Sequence, residues 1–190
     1  MIYYKGTGQD FLTPFENEWP KLWESRVNRP VCLLTTCSHA KPYSKSYIHT
    51  EIRKTILGLR DAALIDIVHV SSAGLIPSEC DDVYPFNSYD WNDLEANSEQ
   101  LMDYARVVPG RLAKWRELTD YQAIFSYFNP DDWNNVLVGL TLPEVIHVPV
   151  TRDTDSWHSQ PDVDNCLTHS SNLESLTQSL NEYFGRVDSD

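Results

Sequence analysis

The sequence predicts an α/β fold, a three-layer α/β/α arrangement around a mostly parallel sheet of about four strands, in one domain over residues 1–190. Three observations predict it. Short apolar, β-leaning runs alternate along the chain with longer amphipathic stretches. The first of these runs, Val31-Cys32-Leu33-Leu34-Thr35, is apolar along its length, as in a buried strand. The segments between them are long enough for helical crossovers, which make neighbouring strands parallel. Six Trp, ten Tyr and six Phe among 190 residues supply the bulk for a real core, which excludes wholesale disorder.

The elements follow in order. Thr13-Pro14, then Phe15, Trp19, Leu22, Trp23 and Val27, reads as an amphipathic helix opened by a threonine cap and stopped by Arg29-Pro30. Residues 31–35 form a buried strand. Ser44 begins a second helix with Ile48, Ile52, Ile56 and Leu59 on one stripe. Residues 64–70 read as the second strand, and 71–91, with Gly74, Pro77 and Pro85, as a long loop of the functional or mobile kind. Residues 92–118 are helical but interrupted at Pro109-Gly110. A third strand covers 123–128, and Asn129-Pro130 caps a helix carrying Trp133, Val136, Leu137 and Leu140. Residues 145–150 make the fourth strand. The last helix rests on Leu173, Leu176, Leu180 and Phe184 and ends at Gly185.

Charge narrows the function classes. Twenty-eight acidic against fifteen basic residues give a net charge of −13, which excludes a generic polyanion-coating role. No apolar run approaches the roughly 18–20 residues of a membrane span, and the N-terminus lacks a signal-peptide pattern, so a cytoplasmic protein without membrane contact is expected. Cys32, Cys37, Cys80 and Cys166 form no metal-like spacing and are expected as reduced thiols. Asp153, Asp155, His158, Asp162 and Asp164 lack the glycine and terminal glutamate of a calcium loop and read as a solvated acidic stretch, so no metal and no cofactor are expected.

In parallel folds ligands sit beyond the carboxyl ends of strands, so the segment after the first strand matters most. It places Cys37, Ser38, His39, Lys41, Tyr43, Ser44, Lys45, Ser46 and His49 at a strand-to-helix junction. The helix start favours an anion or a thiolate there. Lys41, Lys45, Arg53, Lys54 and Arg60 cluster around it, with Glu51 the only carboxylate among them. Each residue also has a plainer reading: Cys37 as a small core residue, the lysines as solvated, and His49 as a boundary histidine bonded to a neighbour.

The spacing Cys37-x3-Lys41-Pro42-Tyr43-x2-Ser46-x2-His49 resembles the signature of the archaeosine synthase family, paralogues of archaeal tRNA-guanine transglycosylases. Thr36 stands where that family has proline. A second block, Ser72-Ala73-Gly74-Leu75-Ile76-Pro77 with Tyr84-Pro85 and Tyr89-Asp90, is similar as well. The resemblance implies the central domain of those synthases, with an architecture like the uracil-DNA glycosylase fold. It also implies amine addition to the nitrile of 7-cyano-7-deazaguanine in tRNA. The transglycosylase-like and RNA-binding regions of the full-length enzymes have no room in 190 residues, so a partner subunit supplying RNA binding is expected.

In that setting Cys37, His49 and Lys41 are the catalytic candidates: thiolate attack on the nitrile gives a thioimidate that an amine displaces, with His49 as base and acid. In the alternative, Lys41 and Lys45 bind phosphate, Tyr43 stacks on the base and Cys37 only packs. Ser38, Tyr43, Ser46, Ser72, Gly74, Pro77, Asp90 and Asn129 are the substrate-binding candidates, Asp90 for a guanine-like edge. Asp90 and Asn129 are also read as helix caps. One pocket is expected to gather Cys37, Lys41, Tyr43, Ser46, His49 and the 72–77 turn. Three function classes therefore stand: an amidine-forming transferase or ligase acting on a 7-deazaguanine in tRNA or DNA, a non-catalytic nucleobase- or partner-binding module, and an N-glycosidic bond hydrolase.

Overall fold

Apolar runs become strands wherever both of their faces can be covered, and the sheet is built on that rule. A computed structural model describes residues 9–37, 42–71, 74–87, 98–130, 132–152 and 166–187. Among them the strands are β1 (Val31–Thr35), β2 (Ile65–Ser71), β3 (Gly74–Pro77), β4 (Ala123–Tyr127) and β5 (Ile146–His147). They form a five-stranded sheet in the order β3-β2-β1-β4-β5. β1 runs parallel to β2 and β4, β5 parallel to β4, and β3 antiparallel to β2.

The helices are α1 (Gln9–Ser25), α2 (Tyr47–Leu57), α3 (Ser98–Glu117), α4 (Trp133–Thr141) and α5 (Ser170–Val187). Strand alternation divides the core in two. On one face Cys32, Leu34, Val68 and Val70 pack with Trp19 and Trp23 of α1, Leu112 and Trp115 of α3, and Val138 of α4. On the other, Leu33, Ile67 and Phe125 pack with Ile52 and Ile56 of α2 and Leu176, Leu180 and Phe184 of α5. The fold is α/β in three layers. Among the described residues no helix is long and apolar enough to cross a membrane.

The structure departs from the sequence expectations at several points. The sheet has five strands because part of the expected loop, Gly74–Pro77, returns along β2 as an antiparallel edge strand. Glycine and proline bound that strand, and both are tolerated only at an edge. The expected fourth strand contracts to Ile146–His147. Pro109 does not break α3, which runs unbroken from Ser98 to Glu117. Val108, Leu112 and Trp115 are fully packed on either side of it, and that burial outweighs the lost hydrogen bond. α1 begins at Gln9, ahead of Thr13-Pro14, and α5 continues through Gly185 to Val187. Asp132, not Asn129, caps α4, its side chain accepting from the Asn134 N–H at 2.9 Å.

At the amino ends of the strands a buried carboxylate stitches the layers. Arg26 donates to both oxygens of Asp66 at 2.7 Å and also bonds Glu79. Tyr121 Oη and the Arg29 N–H donate to Asp66 Oδ2, each at 3.0 Å. Four donors around one carboxylate compensate its desolvation, and the cluster faces away from the ligand edge.

Candidate functional site

β1 is the strand from which the chain departs in both directions, first to β2 and later to β4. α2 then covers one face and α4 the other, so the carboxyl ends of β1 and β4 are the divergence point at which folds of this kind form a ligand crevice. Thr36, just past β1, donates to Asp132 Oδ2 at 2.6 Å across that divergence. Cys37 follows and is half-buried. On the β4 side, Asn129 accepts the Cys166 thiol proton at 2.7 Å through Oδ1, and its carbonyl accepts from Asn135 Nδ2 at 2.7 Å. Asn129 thus braces α4 against the turn at Cys166–Thr168. None of the four cysteines is in a disulfide.

Behind Cys37 lies a packed cluster of rings. Tyr43 opens a short 3₁₀ turn, Tyr43–Lys45, and is fully buried. Its hydroxyl donates to Cys37 Sγ at 3.5 Å. The Tyr43 ring lies 4.2 Å from that of His69, tilted by 34°, and 5.1 Å from that of His49, edge-on. The two imidazoles meet edge to face at 4.4 Å. His69 Nδ1 is 2.8 Å from Thr35 Oγ1, its register partner on β1. His69 Nε2 faces Asp81 Oδ2 at 3.8 Å, and the same Asp81 oxygen accepts the Ser44 N–H at 2.8 Å. Asp81 therefore holds the 3₁₀ turn by a hydrogen bond and places its charge opposite the histidine.

The electrostatics follow from burial. His49, in the first turn of α2, is 2% exposed, and among the described residues neither of its ring nitrogens has a hydrogen-bond partner. Burial, with the nearby Arg53 guanidinium, drives its pKa down to about 3, against a smaller opposing effect of the Thr36 backbone. The ring is neutral at pH 7, and its acid form is not populated there. Burial pushes the Asp81 carboxyl up, while the Ser44 N–H and Arg53 pull it back. Ser46 is buried at the start of α2 and uses its carbonyl, not its hydroxyl, to accept from Thr50. Chemically, the arrangement presents a half-buried thiol with a phenol O–H aimed at its sulfur, a donor that favours thiolate over thiol.

Comparison with known proteins places these features. A family described as "Domain of unknown function (DUF5591)" matches residues 13–168. The chain belongs to this family. All of the site described above lies within the DUF5591 match, while α5 and the first four residues of α1 lie outside it. Archaeosine synthase of Haloferax volcanii is 25% identical to this DUF5591 chain over 123 residues, 65% of this chain and 20% of that protein. The chain thus spans about one fifth of the length of that relative. The crystal structure of AF0587, a protein of unknown function, has a TM-score of 0.53 at 16% identity, covering 85% of this chain and 48% of that one. It shares the fold.

Within the DUF5591 chain the structure brings Cys37, Tyr43 and His49 together, with Ser46 at the adjoining helix start. Tyr43 is sealed against the imidazoles, so its hydroxyl and not a ring face points at Cys37. Gly74 lies at the same sheet edge, paired with Ser71, but its face is filled by α1. A Cβ there would stand 3.1 Å from two Phe15 ring carbons, and its φ of 140° suits glycine. Pro77 is three residues further in, paired with Val68. Asn129 sits beyond β4 with its amide oxygen occupied by Cys166. Ser38, Lys41, Ser72 and Asp90 lie outside the described residues. Sequence reading missed His69, Asp81 and Asp132. His69 had one available signal, an imidazole inside a largely apolar strand run; Asp132 had another, an aspartate one residue before a helix.

Proposed function

We propose that this chain is an archaeosine-synthase-like domain of tRNA modification, cytoplasmic and uracil-DNA glycosylase-like in architecture, that binds a 7-cyano-7-deazaguanine base and directs amine addition to its nitrile. The observation that carries the reading is the convergence of Cys37, Tyr43 and His49 of the signature beyond β1, where the strand order diverges. The match to a protein named archaeosine synthase supports it.

In this reading the Cys37 thiolate adds to the nitrile carbon and the nitrile nitrogen takes a proton, giving a thioimidate. An amine then attacks that carbon and gives up one proton to solvent, the carbon–sulfur bond breaks, and the thiolate returns as the amidine leaves, the proton released here offsetting the one the nitrile nitrogen took up. Tyr43 keeps the sulfur in its nucleophilic form by donating to it. His49, neutral and sealed, shapes the Tyr43 seat and carries no proton in the cycle. Lys41 has the role of phosphate or thiolate partner, and a separate subunit supplies RNA binding.

Incubating the protein with 7-cyano-7-deazaguanine, free or installed in tRNA, together with lysine or other amines tests the reading by mass spectrometry. The expected result is an amidine product and a base adduct on Cys37, both lost in Cys37→Ser. No base binding and no amidine in any combination overturns it. Base binding that survives Cys37→Ala, with no adduct formed, assigns the chain instead to non-catalytic nucleobase binding.

A further inference from the structure

We propose that His69 is a positioning residue of the Cys37 site: tied to Thr35 and facing Asp81, its ring is the seat that aims the Tyr43 hydroxyl at the Cys37 sulfur. This rests on the reading of Cys37 as the reactive centre but on none of the details of its substrate. The geometry runs in a closed circuit. Thr35 ends β1, two residues before Cys37, and bonds His69 Nδ1 at 2.8 Å. His69 carries the Tyr43 ring at 4.2 Å. Tyr43 opens the turn whose next residue, Ser44, donates its N–H to Asp81 at 2.8 Å. Asp81 in turn faces His69 Nε2 at 3.8 Å. The circuit therefore fixes both ends of the Tyr43 Oη to Cys37 Sγ contact, the strand end that bears the thiol and the turn that bears the phenol.

The charges around His69 also set its tautomer. A carboxylate opposite Nε2 favours the proton on that nitrogen, which leaves Nδ1 to accept from the Thr35 hydroxyl. Nδ1 then holds the ring to β1 by a hydrogen bond, while Nε2 is oriented toward Asp81 by charge at 3.8 Å, beyond hydrogen-bond length. The ring's neighbours are buried: Thr35, Tyr43, His49 and Asp81 are each under a tenth exposed. A side chain so enclosed acts on the site through Tyr43 and does not touch what binds at Cys37.

The test reads Cys37 chemistry directly, with no nucleobase present. Site-resolved mass spectrometry follows iodoacetamide labelling of the Cys37 peptide across pH in wild type, Tyr43→Phe, His69→Gln, Thr35→Val and the double variant Tyr43→Phe/His69→Gln. The near-ultraviolet circular dichroism of each reports its fold. Loss of one hydrogen bond to the thiolate is expected to slow labelling roughly three- to tenfold at about pH 7 and to move the pH profile upward. His69→Gln is expected to reproduce the Tyr43→Phe shift, Thr35→Val to give a smaller shift of the same sign, and the double variant to add nothing to Tyr43→Phe. A folded His69→Gln protein with a wild-type Cys37 profile overturns the proposal, as does a shift that adds fully to that of Tyr43→Phe. If His69→Gln does not fold, an unchanged profile in Thr35→Val overturns it. Because no base is involved, a failed amidine assay leaves this result standing, and a flat labelling profile leaves the amidine assay standing.

Discussion

Two imidazoles share one buried cluster and are held in opposite ways. His69 has a hydroxyl at one nitrogen and faces a carboxylate with the other, whereas His49 has neither. Leaving a buried imidazole unbonded sacrifices its hydration without compensation, so a hydrocarbon of similar size is expected to do no worse for stability. His49→Leu should leave stability at pH 7 unchanged or raised by about 1 kcal/mol. The acid side follows from linkage. The folded pKa of His49 is about 3 and its ordinary value 6.5, so between these values the unfolded chain binds a proton that the folded chain refuses. Its contribution is therefore complete above pH 6.5 and declines as pH falls toward 3, by at most about 1.4 kcal/mol per pH unit. Urea unfolding of wild type and His49→Leu across that range should show a shallower acid decline in the variant; equal declines would contradict the assignment. The residue's type and place were legible in the sequence, its burial less so. Ile48, Ile52 and Ile56 define one apolar stripe, but His49, Ile52 and Ile56 fit the helical repeat equally well, and it is this second set that α2 buries.

Among the elements, the β2–β3 hairpin shows where sequence patterns run out. β1, β2 and β4 are largely apolar runs, and their expected limits agree with the structure to within one residue. β3 is four residues long, begins with glycine and ends with proline, so neither period nor propensity marks it as a strand. Tertiary contacts make it one. The Leu75 carbonyl accepts from the indoles of Trp19 at 2.6 Å and Trp23 at 3.3 Å, while Ser71 Oγ donates to the Gly74 carbonyl at 2.8 Å and accepts its N–H at 3.2 Å. A Cβ at Gly74 would press on the Phe15 ring and force it to give by a few tenths of an ångström. Gly74→Ala is expected to destabilise the fold by about 1–3 kcal/mol through strain at positive φ and displacement of the Phe15 ring. Chemical denaturation checks this, and an unaltered midpoint would show that the hairpin does not depend on that contact. Because the Phe15 ring and not the Cys37 cluster would absorb the strain, the Cys37 labelling profile of a folded Gly74→Ala protein should stay close to wild type.

At the scale of the whole molecule, charge and length bear on the same question of how the site meets its substrate. The net charge of −13 opposes a polyphosphate backbone, and phosphate contacts supply most of the affinity that proteins have for nucleic acid. The chain also spans about one fifth of the length of its archaeosine synthase relative. On the proposed function, the base is then held by the Cys37 crevice and the tRNA body by a partner subunit. The two ligands should accordingly respond to salt in different ways. Binding of free, uncharged 7-cyano-7-deazaguanine, followed by tryptophan fluorescence, is expected to be insensitive to ionic strength. Binding of labelled tRNA to the chain alone, followed by anisotropy, is expected to be weaker than about 0.1 mM at physiological salt and to change little along a salt series, because few phosphates are neutralised. A tight tRNA complex with a steep salt slope would require a basic surface on this chain and would remove the need for a partner. Tight tRNA binding with a flat slope would place the affinity in contacts to the base, and the crevice beside Cys37 would then hold the modified nucleotide without help from the backbone.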